Sequence, residues 1–386
     1  MLCHTLLPGE TTRTALIEWR TDLHKEPPNG ETPWILTIRG TVDLEPYLAK
    51  NPSYVQIELE DFGKYTFDIP TILSLHPGKL TSLDPIDELM LWPADLYKIA
   101  AHIEDPLLLM RFFKRVQSEP KLIGIAMGES GELTRALSPK LGNPITFCGN
   151  AAPGQLPGEI LEERFRHSNQ SAKTKVIGLL GYPLHLSSGV GYHNACFIKL
   201  GLDFCYVNIP LKKNLAGFLR EVPEDFVGFS VTMPLKKEAA AYACDGSPAI
   251  NTLRRHGDLW TGINTDGPAM RACIEKRCSL KGKKIAILGA GGLAQSAKHF
   301  VGGELISRKE LATFDPEPYD IIIQATSCGM LEEEMPICAP KGKIVLEGVN
   351  RKTPFYKASV ESGCEVISGQ ELFEAQANLQ QEFWLL

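Results

Sequence analysis

Four side chains in this sequence are of types that do proton and covalent chemistry, and each sits at or beside an apolar run that fixes its place. Lys98 lies inside residues 95–100 (DLYKIA), which read as a buried strand. A lysine there is desolvated, which lowers its pKa and leaves a neutral amine able to attack a ketone and form a Schiff base. His76 follows the run IPTILSL and can move protons near neutral pH. Lys236 ends SVTMPLK and Asp266 lies in NTDG, both at strand-to-helix edges, where open α/β sheets place ligands. A lysine beside a carboxylate can pass a proton to or from a substrate hydroxyl while a nicotinamide handles the hydride. Each residue also has a plain structural reading. Lys98 could be a snorkelling edge lysine, His76 a loop cap before Pro77, Lys236 a solvated first-turn lysine and Asp266 a helix N-cap before Gly267-Pro268.

A second kind of chemistry is carried by glycines. In residues 283–294 (KKIAILGAGGLA), Ile285 to Leu288 read as a buried parallel strand. Gly289, Ala290, Gly291 and Gly292 then turn the backbone into a helix whose N-terminus can hold a phosphate. An NAD site usually ends its second strand on an acidic residue for the ribose hydroxyl. Here ELISRK supplies Arg308 and Lys309, suited to a 2′-phosphate, so NADP is the expected cofactor.

These residues need elements to position them. Residues 1 to about 160 deliver eight short apolar runs, at 2–6, 15–19, 34–38, 54–59, 69–75, 95–100, 121–126 and 143–148, which suggest a β/α barrel. Helical spacing lies between the later runs, as in 105–117, but only eight residues separate the first two, so some crossovers are stripped of helices. A barrel gathers its strand ends at one rim, which would bring Glu18, Arg20, Arg39, His76, Lys98, Arg135 (in the loop after strand seven) and Gln155 to one anion-friendly pocket. Residues 151–174 have linker composition. From Lys175 a strand–helix alternation begins that reads as an open α/β sheet, with a helix expected in KKEAAAYAC (236–244) and a last helix at 371–384. The expected division is a compact (β/α)8-type barrel over 1–165, a linker over 166–174, an α/β substrate domain over 175–266 completed by 369–386, and a Rossmann-like domain over 267–368.

Composition narrows the function classes. The 386 residues are 44% hydrophobic and 22% charged, with formal net charge −6, so no global basic field invites nucleic acid or anionic membrane. The ten cysteines are scattered without a C-x-x-C pair or a clustered His/Cys set, which argues against a metal site and fits a reducing, cytoplasmic setting. No apolar run reaches the length of a membrane span. Small molecules are the expected partners, and oligomeric state is left open.

The order of motifs from Lys175 onward resembles the shikimate dehydrogenase family: GYPLHLS, SVTMPLK, INT, NTDG, GAGG, SRK, QATSCGM, KTPF and the Gln376 region follow one another. The resemblance implies Lys236 and Asp266 as the catalytic pair, and Ser187, Thr232, Asn251 and Gln376 as substrate holders. It also implies cofactor contacts from the glycine turn, Ser307, Arg308, Lys309 and Thr326. The family's second serine is replaced by Gly189, with Ser188 beside it.

The first 160 residues resemble the type I 3-dehydroquinate dehydratases through E-W-R-x-D, S-L-H, Y-K-I-A, AMGESGELTR and APGQ. This implies Lys98 as the Schiff-base residue, His76 as general acid/base, and Glu18, Arg20, Arg39, Arg135 and Gln155 as substrate holders. Ala151 stands where a serine is common. Together the halves resemble fused enzymes of the shikimate pathway to chorismate and the aromatic amino acids: a lyase followed by an NADP-dependent oxidoreductase. Two alternatives stay open at this point, a dehydrogenase carrying an inactive barrel and a non-catalytic shikimate-binding sensor.

Overall fold

Eight short segments form one parallel sheet: β1 (Leu2–Thr5), β2 (Leu16–Arg20), β3 (Trp34–Thr37), β4 (Tyr54–Glu58), β5 (Thr71–Lys79), β6 (Leu96–His102), β7 (Leu122–Met127) and β8 (Thr146–Cys148). They come from a computed structural model that describes residues 1–185, 187–330 and 340–386. Leu186 of the GYPLHLS block and Cys338 lie outside the described residues. The spatial order is β7-β6-β5-β4-β3-β2-β1-β8, so β1 pairs with both β2 and β8 and the sheet curls almost shut. All eight expected runs are strands. The remaining gap is bridged by a side chain. Asn143, buried just before β8, accepts from Gly124 N of β7 at 3.2 Å and returns its amide to Gly124 O at 3.4 Å. One side-chain amide thus stands in for a missing peptide ladder.

The crossovers are as clipped as the spacing implied. No helix joins β1 to β2 or β2 to β3, and those that follow are short: α1 (Glu45–Leu48), α2 (Asp84–Met90), α3 (Pro106–Gln117), α4 (Gly131–Ala136) and α5 (Ser138–Leu141). The longest of these, α3, starts where Asp105 accepts from Leu107 N with Pro106 next in line, a strong N-terminal signal. It buries Leu108, Leu109, Met110, Phe112, Phe113 and Val116.

By contacts the chain forms two compact units, Met1–Leu179 with Leu184–Phe226, and Leu180–Pro183 with Val227–Leu386. The first unit therefore includes more than the barrel. After α6 (Gly158–Phe165) come β9 (Lys175–Gly181), α7 (Gly189–Lys199), β10 (Phe204–Pro210) and α8 (Leu215–Glu221). Lys140 of α5 is fully buried, pairs with Asp225 at 2.8 Å and donates to Ala172 O at 2.9 Å. Phe113 of α3 meets Phe226 edge-on at 5.5 Å, and Arg111 pairs with Glu221 at 2.6 Å. Gln170 Nε2 ties the connecting segment to Ala136 O and Phe165 O.

In the second unit β11 (Phe226–Val231), β12 (Thr252–His256) and β13 (Leu259–Ile263) form an antiparallel meander. The helix expected over 236–244 is absent. Only a 3-10 stretch, Glu238–Tyr242, forms, because Ile250 N bonds Lys236 O and Cys244 N bonds Gly262 O. Those tertiary bonds outweigh the alanines' helix propensity.

Beyond α9 (Asp266–Glu275) lie β14 (Ile285–Leu288), α10 (Gly292–Phe300), β15 (Glu304–Ile306), β16 (Ile321–Gln324), β17 (Ile344–Glu347), α11 (Pro354–Glu361), β18 (Glu365–Ile367) and α12 (Gly369–Leu385). The parallel sheet runs β15-β14-β16-β17-β18, the expected Rossmann-like arrangement. Helix α12 packs on the meander, where Gln380 Nε2 reaches Asn251 O and Trp384 Nε1 reaches Leu253 O. Among the described residues no helix is long and apolar enough to cross a membrane.

Candidate active sites

Inside the barrel the candidate groups come from β2, β4, β5 and β6. Lys98 on β6 is buried, with Nζ 3.2 Å from Gln56 Oε1, 3.6 Å from Glu18 Oε1 and 3.6 Å from the centre of the Phe147 ring. Burial pushes its pKa below the ordinary lysine range, against the pull of Glu18 and with the help of Arg39. Glu18 on β2 is buried too and accepts from Thr5 Oγ1 at 2.6 Å and Thr37 Oγ1 at 3.0 Å. Burial pushes this carboxyl up, but Lys98 and the two hydroxyls outweigh it and hold the group below its usual value.

His76 lies on β5, not beyond its end, and its Nδ1 meets Glu58 Oε2 at 2.9 Å. Glu58 in turn accepts from Ser74 Oγ at 2.7 Å and pairs with Arg39 at 2.5 Å. Its carboxyl is raised by burial and lowered, on balance, by His76, Arg39 and Ser74. With Nδ1 engaged by the carboxylate, Nε2 is the ring nitrogen left to exchange a proton.

The other barrel candidates are disposed differently. Arg135 sits on α4, not in a loop. It is buried and donates from Nη1 to Ala126 O at 3.1 Å and Gly131 O at 3.3 Å; its Nε has no partner among the described residues, and burial pushes its pKa down to about 10. A buried cation like this suits an anionic ligand. Arg20 is held bidentately by Asp22, at 2.6 and 3.1 Å. Gln155 folds its own loop, accepting from Ala151 N and Ala152 N, and donates to Thr5 Oγ1 at 3.1 Å. Gln56, Glu58, Thr5 and Thr37 join the site without having been expected there. The signal was present in Q-I-E of β4, where two polar residues two apart share one face of an apolar strand.

In the second unit Lys236 Nζ lies 2.6 Å from Asp266 Oδ2, with both side chains largely shielded. Asp266 is the first residue of α9, and Asn264 fixes that start by accepting from Gly267 N at 2.8 Å. Nearby, Asn251 donates to Thr265 Oγ1 at 2.9 Å and Gln376 Oε1 at 3.3 Å, while its Oδ1 accepts from Thr265 N at 2.8 Å. The meander and α12 thus bring two expected substrate holders together. Thr232 follows β11 and is tied through its backbone N–H to Leu180 O. Ser187 belongs to the first unit, where its Oγ accepts from Gly189 N at the start of α7.

The glycine turn fits a dinucleotide. Gly289 has φ +122°, and a Cβ there would lie 3.1 Å from Ala325 O. At Gly291, ahead of α10, a Cβ would meet nothing within 4 Å, which leaves the helix N-terminus open to a phosphate. A Cβ on Gly292 would come 3.2 Å from Lys236 Cβ, so the turn packs directly on the stem of Lys236. Arg308 and Lys309 are exposed just past β15, and Ser307 N caps onto Glu310. Thr326 follows β16, its hydroxyl bonded to Gln324 Oε1 at 3.2 Å and to Cys328 N at 3.1 Å. Glu347, wholly buried at the end of β17, accepts from Thr353 Oγ1 at 2.5 Å and Val349 N at 3.0 Å; burial pushes its pKa up to about 7. No group of residues able to hold a metal ion occurs among the described residues.

The family model for type I 3-dehydroquinase matches residues 48–172, and that for the shikimate dehydrogenase substrate binding domain matches 179–252. The bifunctional 3-dehydroquinate dehydratase/shikimate dehydrogenase of Arabidopsis thaliana is 30% identical over 86% of this chain and 67% of its own length. A shikimate dehydrogenase (NADP(+)) of Anaeromyxobacter dehalogenans is 28% identical over 55% of this chain and 92% of its own. The shikimate biosynthesis protein AroDE of Chlamydia pneumoniae is 30% identical over 99% of this chain and 86% of its own length. With a likeness that runs through both halves, the chain belongs to the AroDE family of shikimate biosynthesis proteins.

Proposed function

We infer that the chain catalyses two consecutive steps of the shikimate pathway: dehydration of 3-dehydroquinate in the barrel, then NADPH-dependent reduction of 3-dehydroshikimate to shikimate in the C-terminal half. The observation that carries this reading is the coexistence of a buried, desolvated Lys98 with a shielded Lys236–Asp266 pair at 2.6 Å. Residues 1–165 are assigned to the first activity and 175–386 to the second, the latter divided into a substrate domain, 175–266 with 369–386, and a cofactor domain, 267–368.

In the barrel, the Lys98 lone pair attacks the ketone carbon and the carbonyl oxygen departs as water, giving an iminium on Nζ. The iminium draws electrons from the adjacent carbon, whose proton His76 Nε2 removes. The hydroxyl one carbon further on leaves with a proton as water, and hydrolysis then frees the amine. Arg135 supports binding of the substrate carboxylate, while Glu18, Arg20, Arg39 and Gln155 shape the polar wall. In the second unit, Lys236 and Asp266 deliver the proton that the carbonyl oxygen needs as it becomes a hydroxyl. Asn251 and Gln376 hold ring hydroxyls, with Thr232 assigned to the same substrate. The glycine turn, Ser307 and Thr326 would hold the dinucleotide, and Arg308 with Lys309 its 2′-phosphate. When bound, NADPH supplies the hydride. A reducing, cytoplasmic setting suits the nine described cysteines, all of them thiols.

Borohydride reduction in the presence of 3-dehydroquinate should attach substrate carbon to Lys98, read by peptide mass, and Lys236→Ala should abolish reduction of 3-dehydroshikimate. An unmodified Lys98, or full reduction by Lys236→Ala together with Asp266→Asn, contradicts the assignment.

A further inference from the structure

We propose that Gln56 is a positioning residue for the dehydration, its side-chain oxygen aiming the Lys98 amine while keeping a second carboxylate away from it. The proposal rests on the reading of Lys98 as the Schiff-base residue. Gln56 is wholly buried, and its Oε1 receives a hydrogen bond from Lys98 Nζ at 3.2 Å. As a donor, Nζ meets the oxygen of the amide and not its nitrogen. The other end of the amide is then stranded: Nε2 is buried and has no hydrogen-bond partner among the described residues. A stranded donor costs stability, and an apolar side chain of the same size would avoid that cost. What the residue contributes is therefore the contact of its oxygen.

The charges around Lys98 explain why that oxygen belongs to an amide. Glu18 approaches from β2 at 3.6 Å, and Cys3 of β1, Arg39 and Glu58 also act on the amine electrostatically. Both oxygens of Glu18 are already occupied by threonine hydroxyls. A carboxylate at position 56 would set a second anion against Nζ, hold it as an ammonium and remove the lone pair that attacks the ketone. The Phe147 ring, 3.6 Å from Nζ, is a further neighbour and one that carries no carboxylate.

The test is the pH dependence of 3-dehydroquinate dehydration by the full chain, compared with Gln56→Glu and Gln56→Leu, with near-UV circular dichroism as the check on folding. Gln56→Glu should move the acidic limb of the kcat/KM profile upward by about one pH unit or more. Gln56→Leu should lower plateau kcat about tenfold with little change in KM, because the amine is still present but unaimed. A Gln56→Glu limb that coincides with the wild type overturns the proposal, as does a Gln56→Leu plateau kcat equal to it. Should Gln56→Glu fail to fold, the Gln56→Leu plateau decides. Failure of borohydride to trap substrate on wild-type Lys98 overturns the Schiff-base reading itself, and the proposal with it.

Discussion

At the scale of single residues, Lys98 and His76 meet opposite surroundings on adjacent strands. Lys98 is kept neutral-prone by burial, while His76 is given a carboxylate, Glu58, that Arg39 and Ser74 hold in place. Glu58→Gln should reduce dehydration by on the order of 10- to 100-fold, through loss of the charge that orients and stabilises the imidazole, and leave 3-dehydroshikimate reduction intact. A second residue sets the stability profile. Glu347 has a folded pKa of about 7 against an ordinary 4.5. A carboxyl raised on folding favours the folded state only while protonated, so stability falls as pH rises from 4.5 through 7. At about 1.4 kcal/mol per pH unit of displacement, the loss is about 3 kcal/mol. Glu18 and Glu58 act in the opposite sense. Their pKa values are lowered, so their contribution is present above the usual carboxylate range and is lost as pH falls through their folded values. Glu347→Gln should flatten the decline between pH 5 and pH 8 in urea unfolding and leave the acid-side loss unchanged.

At the scale of elements, the weak place is the seam between β7 and β8, closed by the Asn143 amide in place of a ladder. Asn143→Ala removes both bonds to buried Gly124 and should cost about 2 kcal/mol, visible as a lower Tm, with the far-UV spectrum unchanged. Asn143→Asp should restore only the contact with Gly124 N. Much at this scale was legible in the sequence. All eight barrel runs, the clipped crossovers and the glycine turn could be read from apolar periodicity and spacing. What escaped was structure set by contacts far along the chain. The alanine-rich stretch after Lys236 carries helix propensity, yet Ile250 N and Gly262 O draw its backbone into bonds elsewhere. Strand β12 escaped because TLRRH has too few apolar residues to announce itself, and the pairing of Glu58 with His76 because the two lie eighteen residues apart and meet only once β4 and β5 are side by side.

At the scale of the whole molecule, the barrel does not end where its eight strands do. The first unit continues through Leu184–Phe226, and the pairing of buried Lys140 with half-buried Asp225, the Arg111–Glu221 bridge and the Phe113–Phe226 contact join α3 and α5 to that segment. A fragment of residues 1–174 would leave buried Lys140 without its carboxylate and expose one face of α3. It should be less stable than a 1–226 fragment and more prone to aggregate. In the full chain, Lys140→Ala leaves Asp225 with exposed Lys175 at 3.8 Å in place of its close partner, and should cost about 3 kcal/mol in denaturant unfolding. Two successive activities in one chain can be read in a single assay. The protein is supplied with 3-dehydroquinate and NADPH, and cofactor absorbance is followed for wild type and Lys98→Ala. The wild type should oxidise NADPH steadily, Lys98→Ala should abolish this, and supplying 3-dehydroshikimate instead should restore it. No oxidation from 3-dehydroquinate by a wild-type sample that reduces 3-dehydroshikimate at full rate would contradict two activities in one chain.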